Sequence, residues 1–308
     1  MLKYSHNVMK NVIITGGTGL VGNHLSKKLR KLGYRVYIFS SSVNHESDYI
    51  YYWNYEKGII NHDILKDVDY IIHLAGANIS SGRWTLKRKK ELVDSRVNSA
   101  EFLFNKIKEN NVSLKAFISA SAVGYYGAVT GDKVFGEDDI PTDDFLGNTC
   151  KLWEAAADKF SDLGIRTVKL RTGIVLTSEG GALSKMKTPI KLGFGSAIGT
   201  GKQYMPWIHI DDLCNIYIKA IEDDNMKGAY NAVAPSFSTN KEFTQIFAKA
   251  LNKPFWFPLI PSFFMRLIFG EMSDILLKGS RISSDKITNA GYEFKYDKLK
   301  KALESFNF

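Results

Sequence analysis

Only two cysteines, Cys150 and Cys214, occur among 308 residues, and no Cys-x-x-Cys or Cys/His ligand spacing accompanies them. Neither a disulfide framework nor a zinc site is indicated, and no metal is expected. No secretory signal is expected either, because Met1-Leu2-Lys3-Tyr4-Ser5-His6 has no apolar core. The most apolar stretch, 255–269, is broken by Pro258, Pro261 and Arg266 and is too short to span a bilayer. Core packing is its expected role, ahead of a lid over an apolar substrate or a subunit contact. These absences set a default of a cytoplasmic, reducing environment with no membrane partner. Internal repeats and low-complexity tracts are also absent. The 41 basic residues exceed the 32 acidic ones, for a net charge of +9. The densest basic run, Lys87-Arg88-Lys89-Lys90 with Arg83 and Arg96 flanking it, has no interleaved aromatics. An anionic small molecule or a solvated helix face fits it better than nucleic acid.

Composition is otherwise that of a globular chain, 44% hydrophobic and 24% charged, and the length exceeds one compact core. Apolar, β-branched or aromatic runs predict strands at 11–15, 35–39, 69–75, 115–121 and 166–171. Helical spacing predicts helices at 20–32, 86–110 and 148–163. Strands alternating with helices give an α/β fold, a doubly wound parallel sheet of the Rossmann type. A glycine-rich excursion, about 176–205, interrupts the alternation, before a helix at 210–223 and a strand at 229–233. The tail is mostly helical, at 239–251, 262–278 and 297–306. The expected division is a dinucleotide-binding domain over 1–235 and a smaller, mostly helical C-terminal lobe over 236–308.

The strongest single signal follows the first strand: Thr15-Gly16-Gly17-Thr18-Gly19-Leu20-Val21-Gly22. It fits the dinucleotide fingerprint as Gly17-x-Gly19-x-x-Gly22 and as Gly16-x-x-Gly19-x-x-Gly22. Such glycines allow a tight turn, close approach of backbone to a pyrophosphate and close helix packing, with the anion at a helix N-terminus. An acidic residue about twenty positions on, which would hold a ribose 2′-hydroxyl, is missing. The second strand ends Ser40-Ser41-Ser42, and the first acids, Glu46 and Asp48, come too late. Hydroxyls without a carboxylate suit a 2′-phosphate, so NADP(H) is expected over NAD(H).

Ligands in such folds bind beyond the C-terminal ends of the strands. The small residues of Leu74-Ala75-Gly76-Ala77 let backbone approach a cofactor, or form an ordinary turn. Ser119 to Gly127 places Ser119, Ser121, Tyr125 and Tyr126 in one such loop, able to polarise a carbonyl or exchange a proton if something lowers a phenol's pKa. Arg83 and Trp84 either grip a substrate or serve as a surface arginine and a packed tryptophan. His209 fits packing better than base catalysis, and Asp211-Asp212 fits helix capping better than metal binding.

These pieces together resemble the extended short-chain dehydrogenases/reductases, and within them an atypical epimerase-like branch, the NAD-dependent epimerase/dehydratase-like proteins. Besides the glycine loop, the matching residues are Leu74-Ala75-Gly76-Ala77-Asn78-Ile79, Arg83-Trp84-Thr85, Asp94-Ser95-Arg96-Val97 and the Ser119–Gly127 loop. Cys150-Lys151-Leu152-Trp153-Glu154, Arg171-Thr172-Gly173, Gly180-Gly181-Ala182-Leu183 and Trp207 to Asp212 follow in the family's order. Pro261 to Leu277 and Gly291-Tyr292-Glu293-Phe294 resemble the branch's own C-terminal segment.

The resemblance implies a Ser/Tyr/Lys set, with tyrosine and lysine four residues apart on one helix. Here Cys150 and Glu154 hold those positions. Glutamate raises a neighbour's pKa where lysine lowers it, so the usual tyrosine relay cannot run from this helix. One reading keeps catalysis, with Ser121 orienting, Tyr126 or Tyr125 as acid and Glu154 as base or substrate grip. A second is a regulatory or redox-sensing protein that binds NADP(H) without turnover. A third leaves Cys150 and Glu154 purely structural. The first implies an oxidoreductase or epimerase-type enzyme on a small substrate, with sugar-nucleotide specificity resting on the resemblance alone. Monomer and homodimer both remain open. Expected cofactor residues are Thr15 to Gly22, Ser40, Ser41, Leu74 to Ala77 and Ser119. Arg83, Trp84 and Tyr125 are expected to face substrate.

Overall fold

The computed structural model describes residues 9–42, 49–306 and 308. Glu46 and Asp48 lie outside the described residues. The first half alternates β1 (Asn11–Thr15), α1 (Leu20–Lys31), β2 (Arg35–Ser40), β3 (Ile50–Tyr52), α2 (His62–Lys66), β4 (Tyr70–His73), α3 (Leu86–Glu109) and β5 (Ala116–Ala122). A 3-10 turn, Val123–Tyr126, leads to β6 (Val134–Phe135), α4 (Phe145–Asp162), β7 (Arg166–Thr172), β8 (Ile174–Leu176) and α5 (Gly181–Lys191). Then come β9 (Trp207–His209), α6 (Ile210–Glu222), β10 (Gly228–Ala232) and α7 (Asn240–Ala250). The end of the chain holds α8 (Ser262–Phe269), α9 (Asp274–Leu277), β11 (Arg281–Ile282), α10 (Asp285–Asn289) and α11 (Leu299–Glu304).

Seven strands form one parallel sheet in the order β10-β7-β5-β4-β1-β2-β3. Both faces are covered, which is why its strands are apolar without alternation. Val12, Ile14, Tyr70, Ile72 and Ile118 point into the core shared with α1 and α6. Ile13, Ile71 and Phe117 point into the opposite core with α3 and α4, where Phe117 stacks on Phe160 at 3.7 Å. Strand order reverses between β1 and β4, so the loops after Thr15 and His73 diverge there and open the crevice that ligands use in this architecture.

The excursion after β7 is not structureless. It contains β8 and α5, whose Gly180-Gly181 start and internal Pro189 hide the helix from pattern reading. Leu176, Leu183, Ile190 and Trp207 pack there with Phe243, Phe247, Leu299 and Leu303, forming a third core. Ile287 and Tyr292 instead join the sheet core. The helix expected over 262–278 is broken at Gly270, whose φ of +60° ends α8. Core packing, expected for 255–269, holds for Phe255, Met265 and Phe269 and fails for the rest. Trp256, Phe257, Leu259, Phe263, Phe264, Leu267 and Ile268 are exposed, and α8 buries only Met265.

The basic run at the start of α3 is largely paired, through Arg88 with Glu91, Lys89 with Glu271 and Lys90 with Asp94. No helix among the described residues is long and apolar enough to cross a membrane.

Asp211 and Asp212 do separate jobs, neither of them capping through a carboxylate. The α6 cap is the His209 ring, which accepts from the Asp211 backbone N–H at 3.0 Å. Asp211 pairs with His24 and Lys28; burial alone would raise its pKa, but those hydrogen bonds hold it down at about 2. Asp212 is fully buried and accepts from the Tyr292 hydroxyl at 2.8 Å and from the Lys295 and Tyr296 amides at 2.9 Å. It fastens the C-terminal segment to α6. Asp212→Ala leaves the part-buried Lys295 and Tyr296 amides without that acceptor, while the Tyr292 hydroxyl keeps only the Asp212 backbone carbonyl at 3.1 Å, and it is expected to destabilise the chain by about 3 kcal/mol in urea unfolding. A loss below about 1 kcal/mol contradicts that tether.

Candidate functional site

The site forms where β1, β4, β5 and β7 end. Gly16 turns the chain so closely past the second loop that a Cβ there would lie 2.9 Å from the Ala75 amide nitrogen. Gly22 and Gly19 then differ in purpose. A Cβ on Gly22 would sit 2.5 Å from the Gly17 Cα, so Gly22 is needed for the helix to pack at all. A Cβ on exposed Gly19 would meet only the Gly16 carbonyl, at 3.2 Å, leaving its other side open to a ligand. Among the described residues no side chain caps the α1 N-terminus, and no acid lies in its first turn. Free amides and an unopposed helix dipole there suit a pyrophosphate.

Beneath this loop lies a cavity of about 260 Å³. Gly16, Gly19, Leu20, Val21, Gly22 and Leu74 wall one side. Ala120, Ser121, Thr172, Leu213 and Tyr217 wall the other. Thr18, in the loop, reaches the end of β2, its hydroxyl 3.1 Å from that of Ser40, which lies 3.2 Å from that of Ser42. Ser41 is exposed beside them. Ala77 is fixed from α3, its amide donating to Ser95 Oγ at 2.9 Å and its carbonyl accepting from Arg96 at 3.0 Å. Gly76 lies against the Arg96 side chain. Ser119 is buried within β5 and donates to the Ala120 carbonyl, so the strand's cavity-facing hydroxyl is that of Ser121.

Ser121 and Glu154 meet. Ser121 Oγ donates to Glu154 Oε1 at 2.7 Å, and both residues are buried. Arg171 on β7 grips the same carboxylate with two hydrogen bonds, Nε to Oε1 at 2.8 Å and a terminal nitrogen to Oε2 at 2.9 Å. Its other terminal nitrogen donates to the Tyr126 hydroxyl at 2.9 Å, which donates onward to Asn231 at 2.7 Å. Asn231 in turn donates to the Ser283 carbonyl at 3.0 Å. Burial lowers the Arg171 pKa, but the Glu154 contacts outweigh it and the net shift is upward. Tyr126 has no exposed surface, and burial pushes its phenol up to about 12 against the pull of Arg171. Its hydroxyl faces this network and not the cavity. Tyr125 is half-buried, its ring 3.5 Å from the Arg171 guanidinium.

Cys150, one turn before Glu154, is buried. Desolvation, and then the Glu154 charge, push its thiol up to about 12, which leaves it protonated at neutral pH. Trp84 is a packing residue, its indole N–H on the Ile79 carbonyl at 3.0 Å and its ring 5.0 Å from Phe145. Arg83 turns to the end of α8, donating to the Leu267 and Ile268 carbonyls, a favourable placement for a cation.

Pattern reading missed Arg171, Asn231, Arg96 and His73. Lys169 and Arg171 are two cations at i and i+2 in a central strand, a period that places both on one face and demands a buried acid opposite. That signal was available. His73 left none: it is fully buried under the glycine loop, between Thr15 Oγ1 at 2.8 Å and Ser99 Oγ at 3.1 Å.

Desolvation lowers the His73 pKa from 6.5 to about 4. The unfolded chain therefore takes up this proton near pH 6.5, and the folded chain only near pH 4. Above pH 6.5 the residue costs no stability; as pH falls from 6.5 towards 4, stability is lost by up to about 1.4 kcal/mol per pH unit. His73→Gln is expected to flatten the stability profile between pH 6.5 and 4 by about one proton's slope; an unchanged slope contradicts the assignment. For the loop, Gly22→Ala is expected to cost about 2–3 kcal/mol in unfolding and Gly19→Ala less than about 1 kcal/mol. Equal losses contradict the division of roles.

The pattern of the NAD dependent epimerase/dehydratase family matches residues 12–156, and a domain of unknown function (DUF1731) matches residues 260–306. The chain is 37% identical over 296 residues to the epimerase family protein YfhF of Bacillus subtilis, covering 95% of this chain and 96% of that protein. The crystal structure of the human epimerase family protein SDR39U1 with NADPH superposes with a TM-score of 0.85 at 32% identity, covering 96% of this chain and 98% of that one. A nucleoside-diphosphate sugar epimerase from Corynebacterium glutamicum superposes with a TM-score of 0.78 at 30% identity; 96% of this chain matches 57% of that longer one. The two matched regions fall in the order of the glycine loop and the C-terminal segment, and near full-length identity to YfhF joins them: the chain belongs to the NAD dependent epimerase/dehydratase family.

Proposed function

We propose that this protein is an NADP(H)-dependent oxidoreductase or epimerase-type enzyme in which Ser121 and Glu154 form the proton-handling pair. The observation that carries the reading is the 2.7 Å hydrogen bond from Ser121, a wall of the cavity, to a carboxylate that lies behind it. The residues present fit a dinucleotide: an uncapped helix N-terminus, Gly19 open on its outer side, and small residues at the end of β4. Thr15 to Gly22 would hold the pyrophosphate, and Leu74 to Ala77 would line the path beside it. The hydroxyls of Thr18, Ser40 and Ser41 favour a 2′-phosphate over a free ribose hydroxyl, in keeping with the NADPH of the human relative. A bound nicotinamide would supply hydride exchange.

The direction of the hydrogen bonds fixes what Ser121 can do. Its proton points at Glu154, so its lone pairs are what it offers to the cavity. Ser121 therefore accepts a hydrogen bond from a substrate hydroxyl. As that alcohol is oxidised, its proton moves to Ser121 Oγ while the serine's own proton moves to Glu154 Oε1; reduction runs the same path backwards. Arg171 holds the carboxylate in register by its double hydrogen bond, and Tyr126 and Asn231 hold Arg171. Tyr126 is a positioning residue in this scheme, and Tyr125, half-buried over the guanidinium, is the phenol left to meet substrate. An alcohol-to-carbonyl step that hands its hydride back to the opposite face inverts the carbon. Epimerase chemistry on a nucleotide sugar, named for the Corynebacterium relative, is thus one use of the site.

The test is turnover on a panel of nucleotide sugars and small carbonyls with NADP(H). Ser121→Ala and Glu154→Gln are each expected to lower kcat by about 100-fold or more with the cofactor still bound. Activity that survives both substitutions contradicts the pair. Tight NADPH binding with no turnover on any substrate supports instead a regulatory, non-catalytic role.

A further inference from the structure

The segment 254–269 and the C-terminal end of α5 form one continuous apolar surface. The Ile260 amide donates to the Ala197 carbonyl at 2.9 Å, and the Gly199 amide donates to Ile260 at 2.8 Å, so the two stretches lie side by side. Phe194 meets Phe257 edge-on at 5.5 Å, and Phe257 meets Trp256 at 5.9 Å. On α8, Phe263 stacks on Phe264 at 4.2 Å. The side chains are open to solvent: Trp256 is 68% exposed, Leu267 67% and Phe263 60%. A monomer leaves so many large apolar groups together in water only where something covers them.

Charge identifies the cover. From Gly180 to Ile210 the chain carries Lys185, Lys187, Lys191 and Lys202 and no acid. From Phe243 to Gly270 it carries Lys249, Lys253 and Arg266, again with no acid. Lys191, Lys253 and Arg266 border the patch, are exposed, and have no ion-pair partner among the described residues. Isologous pairing of two copies through this face would set these cations against one another. An anionic lipid surface satisfies both features: exposed aromatic and aliphatic side chains enter the headgroup region, and a border of cations meets the phosphates.

We propose that this face docks the protein peripherally on an anionic membrane surface. Trp256 and the exposed side chains of α8 enter the interface, and Lys191, Lys253 and Arg266 contact the headgroups. This differs from the expectation of no membrane partner, which rested on the absence of a spanning segment. A peripheral face of this kind needs none.

The chain carries its own reporter. Trp53, Trp84, Trp153 and Trp207 are buried, and Trp256 is the exposed tryptophan among the described residues. The full-length protein is mixed with vesicles of phosphatidylcholine alone or with phosphatidylglycerol added, and binding is read by co-sedimentation and tryptophan emission. Expected are binding to the phosphatidylglycerol vesicles, a blue shift of emission on binding, and at least tenfold weaker partition to pure phosphatidylcholine or at high salt. Trp256→Phe should abolish the shift while keeping sedimentation. The pair Phe263→Ser and Leu267→Ser should weaken partition at least tenfold with the thermal transition unchanged. Absence of binding to phosphatidylglycerol vesicles overturns the proposal. So does a concentration-dependent dimer in which Trp256 becomes protected, since a second copy would then be the cover.

Discussion

Everything at the heart of this molecule is arranged around one buried charge pair, Glu154 with Arg171. Removing two charges from water is costly, and the attraction between them compensates only if the geometry is good and every remaining polar atom has a partner. Here the guanidinium takes both carboxylate oxygens, Ser121 adds a third hydrogen bond to the acid, and Tyr126 accepts from the cation. Those partners come from β5, α4, β7 and the turn after β5, and Asn231 extends the chain to β10 and the Ser283 carbonyl. Loss of either member deprives the other of its main counter-charge in the interior, so the positions of the strand ends around the cavity are coupled through the pair. The same requirement that keeps the pair satisfied sets the direction of the serine proton, and with it the chemistry available at the cavity wall.

This arrangement shows how a fold can persist after exchanging the residues at its family's usual catalytic positions. At the helix positions where the resembled family carries tyrosine and lysine, this chain has a protonated, buried Cys150 and an acid. The cation has not vanished from the neighbourhood. It stands on the adjacent strand as Arg171, turned toward the acid and away from the phenol's usual task.

Legibility of the sequence followed locality. The glycine loop, the apolar strands and the helices at 20–32, 86–110 and 148–163 could be read because each is specified by residues within a few positions of one another, and all survive in the structure. Strand β3, the helix α5 behind two glycines, and the break at Gly270 were hidden because tertiary contacts or a single φ value decide them. The surface run at 255–269 misled for a related reason: composition gives hydrophobicity but not which cores are already full. Within the site, Ser121 and Glu154 were visible through motif position, while the grip of Arg171 on Glu154 depended on a contact 17 residues away in sequence. Tyr126 illustrates the limit, since a phenol in a sheet-end loop looks the same on paper whether it faces a cavity or an asparagine.

The most direct measurement is calorimetric titration of the nucleotide-stripped protein with NADPH and with NADH. Binding of NADPH at least tenfold tighter than NADH, abolished by Gly19→Val in a protein that still unfolds cooperatively, is the result expected from the open glycine and the serine-rich strand end. Binding of neither nucleotide, or NADPH affinity unaffected by a valine at that position, would contradict the placement of a dinucleotide at this loop and the proton-handling role built on it.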